Sequence, residues 1–121
     1  MTIPLIGVVD DDAALCSSLV DLMRAAGYRA ESFISAETLL TCVDLLSFNC
    51  IIADVHMPGM GGLDLIRELH ERGITIPIIL ITAIPDKHLD EEAVSRGALC
   101  LLRKPFEANS LLDWVERGHL Q

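Results

Sequence analysis

Apolar positions recur along this chain in two alternating rhythms: short unbroken runs, and longer stretches with helical spacing. The runs are "LIGVV" (5–9), "CIIAD" (50–54), "IPIILIT" (76–82) and "ALCLL" (98–102), and continuous apolarity is what a strand covered on both faces requires. "RAESF" (29–33) alternates polar and apolar instead, which predicts an edge strand. Between the runs, Leu15, Leu19, Leu22, Met23 and Ala26 recur at helical spacing. They predict a helix over 13–26, capped by Asp12 and stopped by Gly27. Ser35 caps a second helix reaching Leu46, and a third covers 62–72 and ends at Gly73. A polar, acidic fourth helix covers 86–96 before Gly97, and Ala108 to Arg117 form the last, with Gly118 as its stop.

Strands alternating with helices in this way predict an α/β, doubly wound (βα)5 fold: a parallel sheet with right-handed crossovers and helices on both faces. In such sheets ligands gather outside the carboxyl ends of the strands. The first strand runs into Asp10, Asp11 and Asp12, the third ends in Asp54, the fourth in Thr82, and the fifth runs into Arg103-Lys104 before Pro105. An aspartate ahead of a Pro58-Gly59 turn is ordinarily explained by its bonding to nearby backbone N–H groups. Polar groups delivered to one edge by four separate strands are not explained that way.

The chain has 121 residues, enough for one core and too few for two. A hydrophobic share of 51% excludes a disordered chain, and the longest apolar run, Ile76 to Ile81, is far short of a membrane span. "MTIPLIGVVDDD" lacks the basic start and small-residue cleavage site of a signal peptide. Cys16, Cys42, Cys50 and Cys100 form no CxxC pair and no metal-like spacing with histidine, so reduced thiols and a cytoplasmic location are expected. A net charge of −9 repels phosphate backbones, so direct nucleic-acid binding by this segment is not expected, and neither is a membrane partner.

Carboxylates brought together raise one another's pKa and destabilise the fold unless a cation intervenes. Mg²⁺ prefers oxygen ligands and takes one or two protein carboxylates plus substrate phosphate. A lysine and a hydroxyl beside such acids suit phosphoryl transfer, in which a carboxylate can be the nucleophile. Two other classes compete. A magnesium phosphohydrolase wants Asp-x-Asp at the strand end, where this chain has Asp54-Val55-His56. A flavin or nucleotide binder needs a Gly- or Ser/Thr-rich loop after the first strand, where this chain has "DDDAAL".

"VVDDDAAL", "SAETLL", "ADVHMPGMGGLDL", "PIILITA" and "LLRKPF" follow one another in an order and spacing that resemble the receiver domains of bacterial two-component response regulators. "FISAETLL" and the G-x-D-L helix start are most similar to the FixJ-like branch, and the likeness runs from residue 5 to 117. The resemblance implies a flavodoxin-like, CheY-like sandwich with strand order 2-1-3-4-5 and a magnesium-dependent switch, not a turnover enzyme. The phosphoryl group would come from the phosphohistidine of a sensor histidine kinase. By that likeness Asp54 is the phosphoacceptor, while Asp11, Asp54 and the His56 backbone carbonyl hold Mg²⁺, with Asp10 supporting it through water. Lys104 would pair with the carboxylate and then with a phosphoryl oxygen, Thr82 would hydrogen-bond that group, Ala83 would leave the approach open, and Lys104-Pro105 would be cis. A homodimer through the fourth helix, last strand and last helix is a further candidate association, and an output domain controlling transcription is expected.

Four residues at three places bear on the family pattern. Leu101 stands where an aromatic is usual on the last strand, Pro85 restricts the loop after Thr82, and Ile84 and His56 flank the phosphoryl position. The first departure leads to the expectation that Thr82 still moves but that the fourth helix carries the response. Ile84 is expected to hinder water and prolong phosphorylation. Among the remaining residues, Asp12 is expected to be a helix cap, Phe106 a core anchor, and Trp114 a packing residue at the edge of the last helix.

Overall fold

The computed structural model describes residues 3–120. Strands β1 (Leu5–Val9), β2 (Arg29–Phe33), β3 (Cys50–Asp54), β4 (Ile78–Thr82) and β5 (Cys100–Arg103) alternate with helices α1 (Ala13–Ala25), α2 (Ala36–Leu40), α3 (Gly62–Glu71), α4 (Lys87–Ser95) and α5 (Ala108–His119). The sheet is parallel throughout, in the order β2-β1-β3-β4-β5. Strand order therefore reverses at β1 and β3, and the carboxyl ends of those two strands are Val9–Asp10 and Asp54.

Every residue of β1, β3 and β4 is buried, as their continuous apolar runs require. Successive side chains go to opposite faces. Leu5, Val9, Ile51, Ala53, Ile78 and Leu80 pack under α2, α3 and α4 with Leu39, Leu65, Ile66 and Leu69. Ile6, Val8, Ile52, Ile79 and Ile81 pack under α1 and α5 with Leu19, Met23, Leu111 and Val115. Two apolar layers thus clamp one sheet, and the polar ends of the strands emerge at its carboxyl edge.

Some boundaries differ from the sequence expectation, each for a local reason. The second helix stops at Leu40 and is followed by a short 3-10 turn, Leu45–Ser47. Leu39, Leu40 and Leu45 are all buried. In a continued α-helix, Leu45 would lie about 170° around the axis from the midpoint of Leu39 and Leu40. The chain breaks, burying Leu45 and leaving Val43 98% exposed. β4 begins at Ile78, after Pro77, which has no N–H to give the ladder but whose carbonyl still accepts from Ile51 N at 2.9 Å.

Gly27, Gly73 and Gly97 follow their helices with positive φ, whereas Gly118 lies inside α5 and does not stop it. A Cβ at Gly118 would come within 3.1 Å of Leu99 and 3.2 Å of the Cys50 sulfur, so the residue is small because α5 crosses the sheet closely there. The cysteines are free, and Cys16, Cys50 and Cys100 are buried. Burial pushes the Cys50 and Cys100 thiols up to about 12, which leaves them as inert apolar filling. Among the described residues no helix is long and apolar enough to cross a membrane.

Candidate functional site

Three strand ends carry the same local device. Asp10 Oδ1 accepts the N–H of Asp12 at 2.9 Å, Asp54 Oδ1 accepts that of His56 at 2.8 Å, and Thr82 Oγ1 accepts that of Ile84 at 3.1 Å. Each side chain turns back on the backbone two residues ahead, which fixes its direction where the strand gives way to a loop. The ordinary turn role of aspartate therefore uses only one carboxylate oxygen of Asp54 and leaves the other pointing away from the turn. The Cys16 thiol donates to the Asp10 carbonyl at 3.2 Å and ties the start of α1 to the end of β1, a contact the sequence reading did not anticipate.

The free oxygens meet on one cation. Lys104 Nζ donates to Asp54 Oδ2 at 2.7 Å and to Asp10 Oδ2 at 3.2 Å. Asp10 is 1% exposed, Asp54 7% and Thr82 0%, the only buried polar or charged side chains among the described residues. Lys104 is aimed from the end of β5, where its own N–H donates to Thr82 O at 2.7 Å; the Lys104–Pro105 peptide is cis. Desolvation raises the Asp10 pKa, with the Asp54 charge adding to the rise; the Asp12 N–H and Lys104 oppose it without cancelling it. Burial pulls the Lys104 ammonium down, but the hydrogen bonds and charges of Asp54 and then Asp10 outweigh it and leave the pKa raised.

Glycines let the neighbouring helix come close. A Cβ at Gly62 would lie 2.7 Å from the Asp54 carbonyl oxygen and 2.6 Å from Leu80, so only glycine lets α3 start against the end of β3. Asp64 accepts the Gly61 N–H at 3.3 Å and holds that start in place.

The remaining expected residues are placed less centrally. Asp11 is exposed, and its carboxylate takes no part in the hydrogen bonds or ion pairs among the described residues; Asp10 is the acid in direct contact with Lys104. Asp12 caps α1, accepting from Leu15 N at 3.1 Å. The His56 side chain is exposed, while its backbone stands beside the Asp54 carboxylate. Phe106 and Trp114 are half-buried against the α1–α5 layer, and the Arg117 guanidinium lies 4.7 Å from the Trp114 ring. Arg103, grouped with Lys104 in the sequence reading, does not join the site. It turns to the other side of β5 and bonds the β4–α4 loop and α4. Adjacent strand residues face opposite ways, so only one of the pair could reach the acids.

The chemistry of the donor set bears on the expected metal. The two buried carboxylates, Asp10 and Asp54, at the ends of adjacent strands are hard oxygen donors, and Asp10 carries a charge that burial disfavours. Among the described residues no group of three His, Cys, Asp or Glu side chains forms a metal cage. Mg²⁺, which needs few protein ligands and keeps its waters, fits this arrangement.

A parallel doubly wound sheet with buried aspartates at its reversal point, bridged by a lysine that follows the last strand, defines a class of α/β domain whose site is a lysine-linked acid pair at the carboxyl edge of the sheet. Within that class, residues 6–116 match the model of the response regulator receiver domain, and the chain belongs to that family. It is 38% identical over 109 residues to the transcriptional regulatory protein FixJ of Bradyrhizobium diazoefficiens, covering 90% of this chain and 53% of that protein. It is 42% identical over 108 residues to the response regulator protein TmoT of Ectopseudomonas mendocina, covering 89% of this chain and 49% of that protein. The solved FixJ-N structure superposes with a TM-score of 0.89 at 30% identity, covering 100% of this chain and 97% of that one. The chain spans about half the length of the curated relatives it matches.

Proposed function

We propose that this domain is a phosphoacceptor switch in two-component signalling, taking a phosphoryl group from the phosphohistidine of a sensor kinase onto Asp54. The observation that carries the reading is the single lysine ammonium shared by two buried strand-end carboxylates, 2.7 Å from Asp54 and 3.2 Å from Asp10. In the transfer, a P–O bond forms to Asp54 as the P–N bond of phosphohistidine breaks and the imidazole leaves. His56 N–H holds one oxygen of Asp54 and so orients the carboxylate. Lys104 passes from the carboxylate to a phosphoryl oxygen, and the Thr82 hydroxyl, whose oxygen already accepts from Ile84, donates its proton to another. Mg²⁺, held by Asp11, Asp54 and the His56 carbonyl with Asp10 behind it, would supply positive charge against the crowded oxygens.

The donor must be brought to this edge. A groove of about 340 Å³ runs beside it, lined by Leu15, Leu19, Leu22, Pro105 and Phe106, with Lys104 in its wall. We assign it to the phosphohistidine-bearing segment of the kinase, because whatever delivers the phosphoryl group must touch the surface around Lys104. The output face is that of α4, β5 and α5, passing the signal to a second copy or to a transcriptional output segment. Four free thiols fit action in the cytoplasm.

The test is incubation with acetyl phosphate, with and without Mg²⁺, followed by mass spectrometry. One labile phosphoryl group is expected on the peptide holding Asp54, dependent on the ion and absent from Asp54→Ala. A wild-type protein left unmodified with the ion and donor present would overturn the reading. Ile84, apolar and half-exposed beside Thr82, shields the aspartyl phosphate from water. Ile84→Glu is therefore expected to lose the group several-fold faster, measured as decay of the phosphorylated mass after the donor is removed.

A further inference from the structure

The structure assigns to Arg103 the role of a positioning residue that joins the phosphoryl-binding Thr82 to α4. This inference rests on the phosphoacceptor reading and deepens it. Arg103 Nη1 donates to the Ile84 carbonyl at 3.1 Å, and Nη2 donates to the Asp86 carbonyl at 3.0 Å and to Asp90 Oδ2 at 2.6 Å. Ile84 is thus held at both backbone polar groups: its N–H is bonded to the Thr82 hydroxyl, its carbonyl to the guanidinium. Asp86 caps α4 through the His88 N–H at 2.9 Å, and Asp90 lies in the first turn of that helix. A continuous set of bonds therefore runs from the Thr82 hydroxyl through Ile84 and Arg103 to the start of α4.

Nothing else on β5 offers such a path. Leu101 lies two residues before Arg103 on the same face of the strand, opposite Leu80 and packed on the apolar layer beneath α3 and α4. It has no polar atom to bond the loop. Among the described residues, every side-chain hydrogen bond from β5 to the segment 83–90 comes from Arg103. The rigid plane of a guanidinium spreads its donors over separate nitrogens, two of which are used here, whereas the three donors of an ammonium sit on one nitrogen at the end of a flexible stem. An exposed ion pair such as Arg103–Asp90 contributes little by itself. Its consequence here is mechanical: Thr82 cannot change its bond to Ile84 without loading the same loop that Arg103 ties to α4.

The experiment is amide hydrogen exchange with Mg²⁺ alone and with Mg²⁺ plus beryllofluoride, a phosphoryl analogue. In the wild type, exchange is expected to change around Asp54–His56, at Thr82–Ile84 and along α4. In Arg103→Ala the changes at Asp54 and Thr82 persist while the α4 change is lost. Arg103→Lys, which keeps the charge and lacks the fork, shows the same loss, and Asp90→Ala, which removes the side-chain link but leaves the one through Asp86, shows an α4 change smaller than the wild type's. An α4 response of wild-type size in Arg103→Ala overturns the inference, because a merely structural arginine would lower stability in both states and leave their difference intact. Full rescue by Arg103→Lys overturns the fork in favour of plain charge. A wild-type protein showing no change at Asp54 or Thr82 overturns the phosphoacceptor reading itself, and the coupling with it.

Discussion

Lys104→Ala is expected to slow phosphoryl uptake from acetyl phosphate about 10²-fold, the usual cost of removing one preorganised donor from a developing negative charge. It is also expected to destabilise the metal-free protein at pH 7 by about 2–4 kcal/mol, because two buried carboxylates lose the cation they share. The pH dependence separates this from a packing defect. Lys104 has a raised pKa, so its contribution to wild-type stability is fully present below the ordinary lysine value of 10.5 and is lost as pH rises through the raised one. In the variant the defect shrinks on acidification, because Asp10, whose pKa is already raised above 3.8, takes up a proton and ends the repulsion. Urea denaturation from pH 8 down to the ordinary aspartate value of 3.8 measures this directly. A loss that is the same at every pH would mean that the lysine acts through its methylenes and not its charge. Mg²⁺ is expected to restore much of the variant's stability and little of its rate, since an ion can neutralise the acids but does not replace a donor to the phosphoryl oxygen.

The fold was legible because burial on both faces leaves a plain mark. The spans of β1, β2 and β3 are those their runs predict, and Asp54 is the last residue of a fully buried strand. Strand order was less legible, since nothing in periodicity says which strand neighbours which; it came from resemblance alone. The α2 region misled because Leu39, Leu40 and Leu45 look like one helical stretch, yet burying all three requires a break. Gly118 misled because a glycine near a helix end reads as a stop, whereas its reason is contact with Leu99 and Cys50, residues distant in sequence. At the site, which residues stand at strand ends was readable. Their linkage was not: Lys104 joining acids 50 and 94 positions away, and Arg103 turning from them toward Asp90, depend on a lysine tip and a strand pleat. The Asp54–His56 and Thr82–Ile84 turns were within reach of sequence reasoning, since each spans two residues.

The second large effect has the opposite sign. Asp10→Asn keeps the shape and the acceptor for the Asp12 N–H and loses the longer of the two Lys104 bonds, at 3.2 Å, but removes a buried charge that desolvation and Asp54 both disfavour. The metal-free variant is expected to be more stable than wild type at pH 7, seen as a higher Tm. The sign follows from linkage: the folded state holds the Asp10 proton more tightly than the unfolded chain, so wild-type stability falls as pH rises from 3.8 through the raised value. The gain from the substitution should accordingly grow over that interval and level off above it. Mg²⁺ stabilises the folded protein in proportion to how much better it binds that state, and with one acid gone the rise in Tm on adding the ion should be smaller than in wild type. Thermal melts of the two proteins with and without Mg²⁺ give both comparisons. If asparagine lowers Tm in the absence of the ion, then Lys104 already compensates both carboxylates fully. The site would then be a satisfied ion cluster with no electrostatic deficit for a metal or a phosphoryl group to relieve.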